Sequence, residues 1–267
     1  MDTATVRLEA TIGSCALNMS VSVPAGPATV DDFLPLLQIL DDKIVASAEH
    51  EVDQQGKCIS CQKGCGACCR QLVPLSPADA RHIARLVANM PEPRKTEIVG
   101  RFAAARQKLE ETGFLQKLDE RQQWLESDVS RIGVEYFQLG IACPFLEEES
   151  CSIHRERPLT CREYLVTSPA VNCASPSSDS IDCVPLPAKV WLSAARAESK
   201  IATGERFVKW IPLIQALDWA AENLSDPMAK PGPELLRQLI EGLASTSNEP
   251  LLAASRAQSA AEKAAAV

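Results

Sequence analysis

Five cysteines fall within the twelve residues CISCQKGCGACC, from Cys58 to Cys69. No other feature constrains the chain as tightly. Thiols this close must be joined as disulfides, gathered on a metal or kept as a redox centre. The total of 11 cysteines is odd, so at least one stays unpaired. Eleven in 267 residues is also well below the ~8–10% of small disulfide-built scaffolds.

The chain reads as a cytoplasmic one. Its start, MDTATVRLEA, has neither a basic leader region nor an apolar stretch. No run reaches the ~18 apolar residues of a membrane span. The most apolar segment, FVKWIPLIQALDWAAENL, is interrupted by Lys209, Gln215 and Asp218. Structural disulfides are rare in a reducing compartment. A net charge of -8 argues against a general nucleic-acid partner, which needs clustered Lys and Arg.

Metal ligation is therefore the expected role of the cluster. Cys58-x-x-Cys61 and Cys65-x-x-Cys68 are two pairs of the kind that aim both sulfurs at one ion, and Cys69 follows directly. Gly64 and Gly66 supply the backbone freedom of so tight a loop. The second half of the set lies far downstream at Cys143, Cys151 and Cys161, in loops stiffened by Pro144 and Pro158. These three are expected to fold back on the first five and complete one or two sites. Lys57, Lys63, Arg70, Arg155, Arg157 and Arg162 flank the cysteines, and positive neighbours favour the thiolate form that binds metal. His154 is a candidate ligand or hydrogen-bond donor beside the site, with Arg157 and Arg162 supporting it. Cys173 and Cys183 bracket the loop NCASPSSDSIDC and stay undecided, while Cys15 occupies an apolar strand position and reads as core.

Around these loops the pattern is mainly α, with a small N-terminal β-hairpin. Ala4, Val6, Leu8, Ala10 and Ile12 alternate with polar residues up to Gly13-Ser14, and Cys15, Leu17, Met19, Val21 and Val23 alternate after it. A helix is expected from Asp31 to Val52, with Thr29 and Asp32 as its capping box. Others follow from Ser76-Pro77 to about Met90, from Pro93 to Glu111 and from Leu115 to Ser127. Residues 141–182 read as irregular. Helical patterns return near Ala188–Thr203, Arg206–Leu224 and Pro233–Ala244. The expected organisation is a hairpin (1–27), a helical cysteine-cluster domain (28–185), C-terminal helices packed on it (186–248) and an Ala-rich tail (249–267).

The run CxxCxxxCxxCC, followed by CPFL, CxIH, RPxxCR and Tyr164, resembles the CxxCxxCC family of zinc- or iron-chelating proteins, also called YkgJ-like cysteine-cluster proteins. The resemblance covers roughly Cys58 to Tyr164. It implies Cys65, Cys68, Cys69, Cys143, Cys151 and Cys161 as ligands. Three residues separate Cys61 from Cys65 where the family has two, which leaves Cys58 as an alternative to Cys61. His154 stands where the family shows Tyr. Some relatives are labelled iron–sulfur oxidoreductases and others flagellin lysine methylases, so the resemblance implies a metal module and leaves the reaction open.

The cofactor is expected to be an iron–sulfur cluster or Zn(2+). Thiolates suit both, and a cluster accepts irregular spacings and a Cys-Pro ligand; the irregular spacing, together with the labels that the resemblance brings, leans toward the cluster. Cys61, Cys65 and Cys68 match the C-x-x-x-C-x-x-C spacing of radical enzymes, but the chain lacks the alternating strands of their barrel. Three roles stay open: a metalloenzyme with redox chemistry, a non-catalytic zinc-stapled module that binds a protein partner, and metal storage.

Overall fold

The structure, a computed structural model, describes residues 2–124, 126–176, 180–203, 208–224 and 227–246. The expected hairpin is present as β1 (Thr3–Ile12) and β2 (Cys15–Pro24), paired antiparallel with Leu8 opposite Met19 and Ile12 opposite Cys15. Gly13 makes the turn at φ 58. One face carries Leu8, Ile12, Cys15, Leu17, Val21 and Val23, all buried. It lies on two helices, α1 (Val30–Gln54) and, at the far end of the chain, the last helix. Helix α1 begins as its cap predicts: the Asp32 carboxylate accepts from the Thr29 backbone N–H at 2.7 Å and the Thr29 hydroxyl at 2.9 Å. Its Phe33, Leu37, Leu40, Ile44 and Ala48 are buried in a row.

Helix α2 (Pro77–Ala88) starts where Ser76 Oγ accepts from the Asp79 backbone N–H at 3.0 Å. Helix α3 (Arg94–Glu111) follows as expected. The pattern from Leu115 to Ser127 is not one helix, however. It divides into α4 (Phe114–Asp119), a 3-10 turn at Arg121–Gln123, and the start of α5 (Glu126–Gln138). The break occurs where Arg121 donates back to the Leu118 carbonyl at 2.9 Å and across to Trp210 O at 3.0 Å. Tertiary contact has overridden local periodicity there.

Residues 141–182 are irregular overall but hold two short helices, α6 (Leu159–Glu163) and α7 (Ala170–Cys173). Helix α8 (Val190–Thr203) agrees with its pattern. The helix expected over Arg206–Leu224 is shorter. Ile211–Pro212 is instead a two-residue strand paired with Pro74–Leu75, and α9 spans only Ala216–Glu222. Pro212 has no N–H to give a helix, and Ile211 is needed in the core beside Leu75. Residues 206–207 and the Ala-rich tail lie outside the described residues. Helix α10 (Gly232–Ala244) is the last of ten α-helices among the described residues.

Two apolar clusters frame the cysteine loops. The larger joins the hairpin to α1, α8 and α10 around Trp191, Leu37, Leu40 and Leu239. The second lies under α2 and α3, where Phe102 meets Phe145 edge-on at 5.7 Å between ring centres. Cys143 and Cys151 pack on this second cluster, so the downstream cysteine loop is anchored through Phe145 and Ile153.

Candidate metal centre

After α1 the chain turns through Gly64 at φ 90, a conformation L side chains rarely adopt. It then forms one 3-10 turn, Ala67–Arg70, carrying Cys68 and Cys69. Gly66 enters that turn pressed against the downstream loop. A Cβ there would stand 2.6 Å from Leu146 Cδ1, 2.6 Å from Glu149 Oε2 and 3.1 Å from Glu149 Cα, so both side-chain ends would have to shift and the backbone contact would tighten. Arg70 locks it, donating to Gly66 O at 2.9 Å and to both Glu149 carboxylate oxygens at 2.6 and 2.9 Å.

The downstream loop is a small hairpin, Leu146–Glu147 paired with Ser150–Cys151. Its turn residues Glu148 and Glu149 take φ values of 47 and 55, left-handed positions usually filled by Gly or Asn. The loop is joined directly to the first cysteine segment, because the Cys143 N–H donates to Cys69 O at 2.7 Å. Cys161 arrives on α6, which Thr160 pins by donating to Pro74 O at 2.5 Å. The two halves of the cysteine set therefore meet, as the sequence leads one to expect.

Within the meeting point four of the cysteines are mutual electrostatic neighbours. All six pairs among Cys68, Cys143, Cys151 and Cys161 are close enough for each sulfur to feel its partner's charge. Burial pushes the Cys143 thiol up to about 12, with Cys151 and Cys68 adding to it. Burial likewise raises Cys161, again reinforced by the other three sulfurs. Cys68 is raised first by the hydrogen bond it shares with Cys69 and then by burial. Arg157 acts the other way, its charge lowering Cys68, Cys151 and Cys161. Four half-buried thiols thus sit in surroundings that disfavour their ionisation, beside one cation. A bound metal ion reverses that balance by supplying positive charge at the sulfurs.

The other expected residues fall less uniformly. Cys61 and Cys65 lie beside this group, Cys61 in electrostatic reach of Cys68. Cys69 is the hydrogen-bond partner of Cys68, with Arg70 beside it. Cys58 is exposed. His154 is exposed too, and the nearby Arg157 charge holds its imidazole below the usual range. Arg162 is buried but faces elsewhere, donating to Asp42 at 2.8 Å, to Arg157 O at 3.0 Å and to Arg155 O. It shapes the loop that presents Arg157. Cys15 is core, its thiol directed at Lys43 O at 3.8 Å. Cys173 and Cys183, left undecided by the sequence, both lie within reach of Cys61. The only sequence signal for them is their position at the two ends of one Ser- and Pro-rich loop.

Among the described residues no three His, Cys, Asp or Glu side chains already stand in ligating positions. Ligation requires the sulfurs to close in from their present spacing. The donor set fits a thiophilic metal in kind: sulfur only, drawn from three chain segments, with positive charge beside it.

Residues 60–179 match the model of the CxxCxxCC family, described as "Putative zinc- or iron-chelating domain". The match includes Cys61, Cys65, Cys68, Cys69, Cys143, Cys151, Cys161 and Cys173, and leaves out Cys58 and Cys183. No curated protein and no solved structure matches the chain. No helix among the described residues is long and apolar enough to cross a membrane.

Proposed function

We propose that the chain is a metal-binding protein whose cysteine sulfurs ligate zinc or an iron–sulfur cluster, tying together segments remote in sequence. The observation that carries this reading is the convergence of Cys68, Cys143, Cys151 and Cys161, in all six pairings, from three separate segments. The zinc- or iron-chelating description of the matching family supports it independently. When bound, zinc supplies cross-linking, whereas an iron–sulfur cluster also supplies electron transfer.

The chain's own residues have separable parts in this scheme. The sulfurs give up their protons and bind; Arg157 offsets the charge that results; Gly66 and the Arg70–Glu149 pair hold the two cysteine loops against each other. A stapling role is favoured by the sparse regular structure of the loops: residues 55–66, which lead to Cys68, and 139–153, which carry Cys143 and Cys151, hold no helix among the described residues. A cross-link between distant segments lowers the entropy of such loops most. All eleven cysteines stand as thiols, which suits a reducing compartment such as the cytoplasm. The visible spectrum of anaerobically purified protein separates the two cofactors. A brown protein absorbing near ~400 nm holds an iron–sulfur cluster. A colourless one containing zinc holds the staple alone, and a colourless one lacking both metals refutes the proposal.

A further inference from the structure

Cys61, Cys65, Cys173 and Cys183 are thiols that the group of four does not use, and they form a second gathering beside it. Cys173 lies in reach of Cys61, Cys65 and Cys183; Cys61 in turn reaches Cys65 and Cys183. The first gathering touches the second mainly through Cys68, the neighbour of Cys61 and Cys173.

The backbone shows why these four come together. The Ser60 N–H donates to Val166 O at 2.9 Å, which joins the first cysteine segment to residues 164–167. Cys61 itself receives a hydrogen bond from the Val166 backbone. On the other side Val166 bridges antiparallel to Cys183, with Val184 N–H donating to Leu165 O and Thr167 N–H to Asp182 O, both at 2.9 Å. Residues 59–61, 164–167 and 182–184 are therefore joined side by side, with Val166 in the middle and Cys61 and Cys183 on the outer segments. Helix α7 packs on the 3-10 turn and brings buried Cys173 inward. The Tyr164 hydroxyl accepts from Gln71 Nε2 at 3.0 Å and hydrogen-bonds the Cys183 sulfur. The patch holds the Tyr164 hydroxyl with Cys61 and Cys183, and Cys65 and Cys173 lie beside it, a gathering that an apolar packing role does not explain.

We infer that the chain holds two metal centres side by side, the second formed by Cys61, Cys65, Cys173 and Cys183, with Tyr164 as a hydrogen-bond donor to its sulfur. The inference rests on the proposed metal-binding function and adds a site to it. It takes Cys183, outside the matched family span, as a ligand. It leaves Cys58 as a bystander.

Thiol mapping on the whole, anaerobically purified protein tests this. The protein is pulsed with N-ethylmaleimide, its peptides are weighed, and zinc and iron are measured on the same sample. The expected pattern is rapid labelling of Cys58 with Cys61, Cys65 and Cys183 protected. In Cys183→Ser, total metal falls by about half, Cys61 and Cys65 become reactive, and Cys143 and Cys151 stay protected. Because Cys183 is exposed, this variant disturbs no core packing. The inference is overturned if Cys61 and Cys183 label as fast as Cys58 in the wild type, or if Cys183→Ser keeps its full metal content. Wild-type protein with one protected group of four defeats only the second centre. Wild-type protein without zinc or iron defeats the proposed function as well.

Discussion

Cys161 and Cys58 show how differently two cysteines of one cluster depend on their surroundings. The Cys161 thiol is held up by burial and by three neighbouring sulfurs, while Cys58 lies exposed. Cys161→Ser should remove the metal of the inner group and lower unfolding free energy by about 1–3 kcal/mol, because a half-buried hydroxyl replaces a ligand. Cys58→Ser should change stability by no more than about 0.5 kcal/mol and leave metal content intact. Chemical denaturation with parallel metal analysis compares the two, and equal losses would contradict the assignment. Arg157 is the cation shared by Cys68, Cys151 and Cys161. Arg157→Gln should weaken metal retention against a competing chelator by roughly 10–100-fold, the usual effect of removing a group that supports a metal's ligands. An unchanged competition curve would show that its charge does not reach the sulfurs.

The elements hold the site through close approach more than through regular structure. Gly66 lies so near Leu146 and Glu149 that Gly66→Ala must displace both side chains and press on the Glu149 backbone, 3.1 Å from the added Cβ. The expected cost is about 1–3 kcal/mol, with a matching loss of metal. Gly100 is the control at the same scale. It lies inside α3, and an added methyl group there would meet nothing within 4 Å. Gly100→Ala should therefore stabilise by up to about 1 kcal/mol. Thermal melts of the two variants should move in opposite directions. The hairpin, α1, α2 and α3 are legible in the sequence because period and cap agree, as at Thr29–Asp32 and Ser76–Asp79. The break after α4 and the strand at Ile211–Pro212 are not, since each is decided by a partner remote in sequence: Trp210 for Arg121, and Leu75 for Ile211.

At the scale of the whole molecule, the site is half legible. Spacing points to eight cysteines, Cys58, Cys61, Cys65, Cys68, Cys69, Cys143, Cys151 and Cys161, gathering on one or two sites, and to Gly64 and Gly66 as permissive residues. It gives no access to Cys173 and Cys183, whose approach to Cys61 depends on a three-segment backbone patch. It also sets His154 beside the thiols, whereas the chain turns it outward to solvent. The interior where α1, α2 and α8 meet carries a further property of the whole fold. There Glu198 accepts from the Ala78 N–H at 2.9 Å and pairs with Arg81, which also holds Asp31. Burial nonetheless pushes Glu198 up to about 7, from an ordinary value of 4.5. Well below pH 4.5 it is protonated whether the chain is folded or not, and its contribution to stability is fully present. As pH rises the unfolded chain ionises first, so that contribution is lost up to about pH 7. Glu198→Gln should flatten the fall of melting temperature between about pH 5 and ~7 relative to wild type at equal metal content. An unaltered slope would show that Glu198 titrates normally.

The central claim is that cysteine segments remote in sequence meet in order to hold metal. Elemental analysis of the full chain, purified anaerobically without added metal, measures it most directly. The expected result is zinc or iron at about one equivalent or more per chain, retained through gel filtration and lost in Cys161→Ser at the inner group. Less than about half an equivalent of zinc and iron together would contradict it.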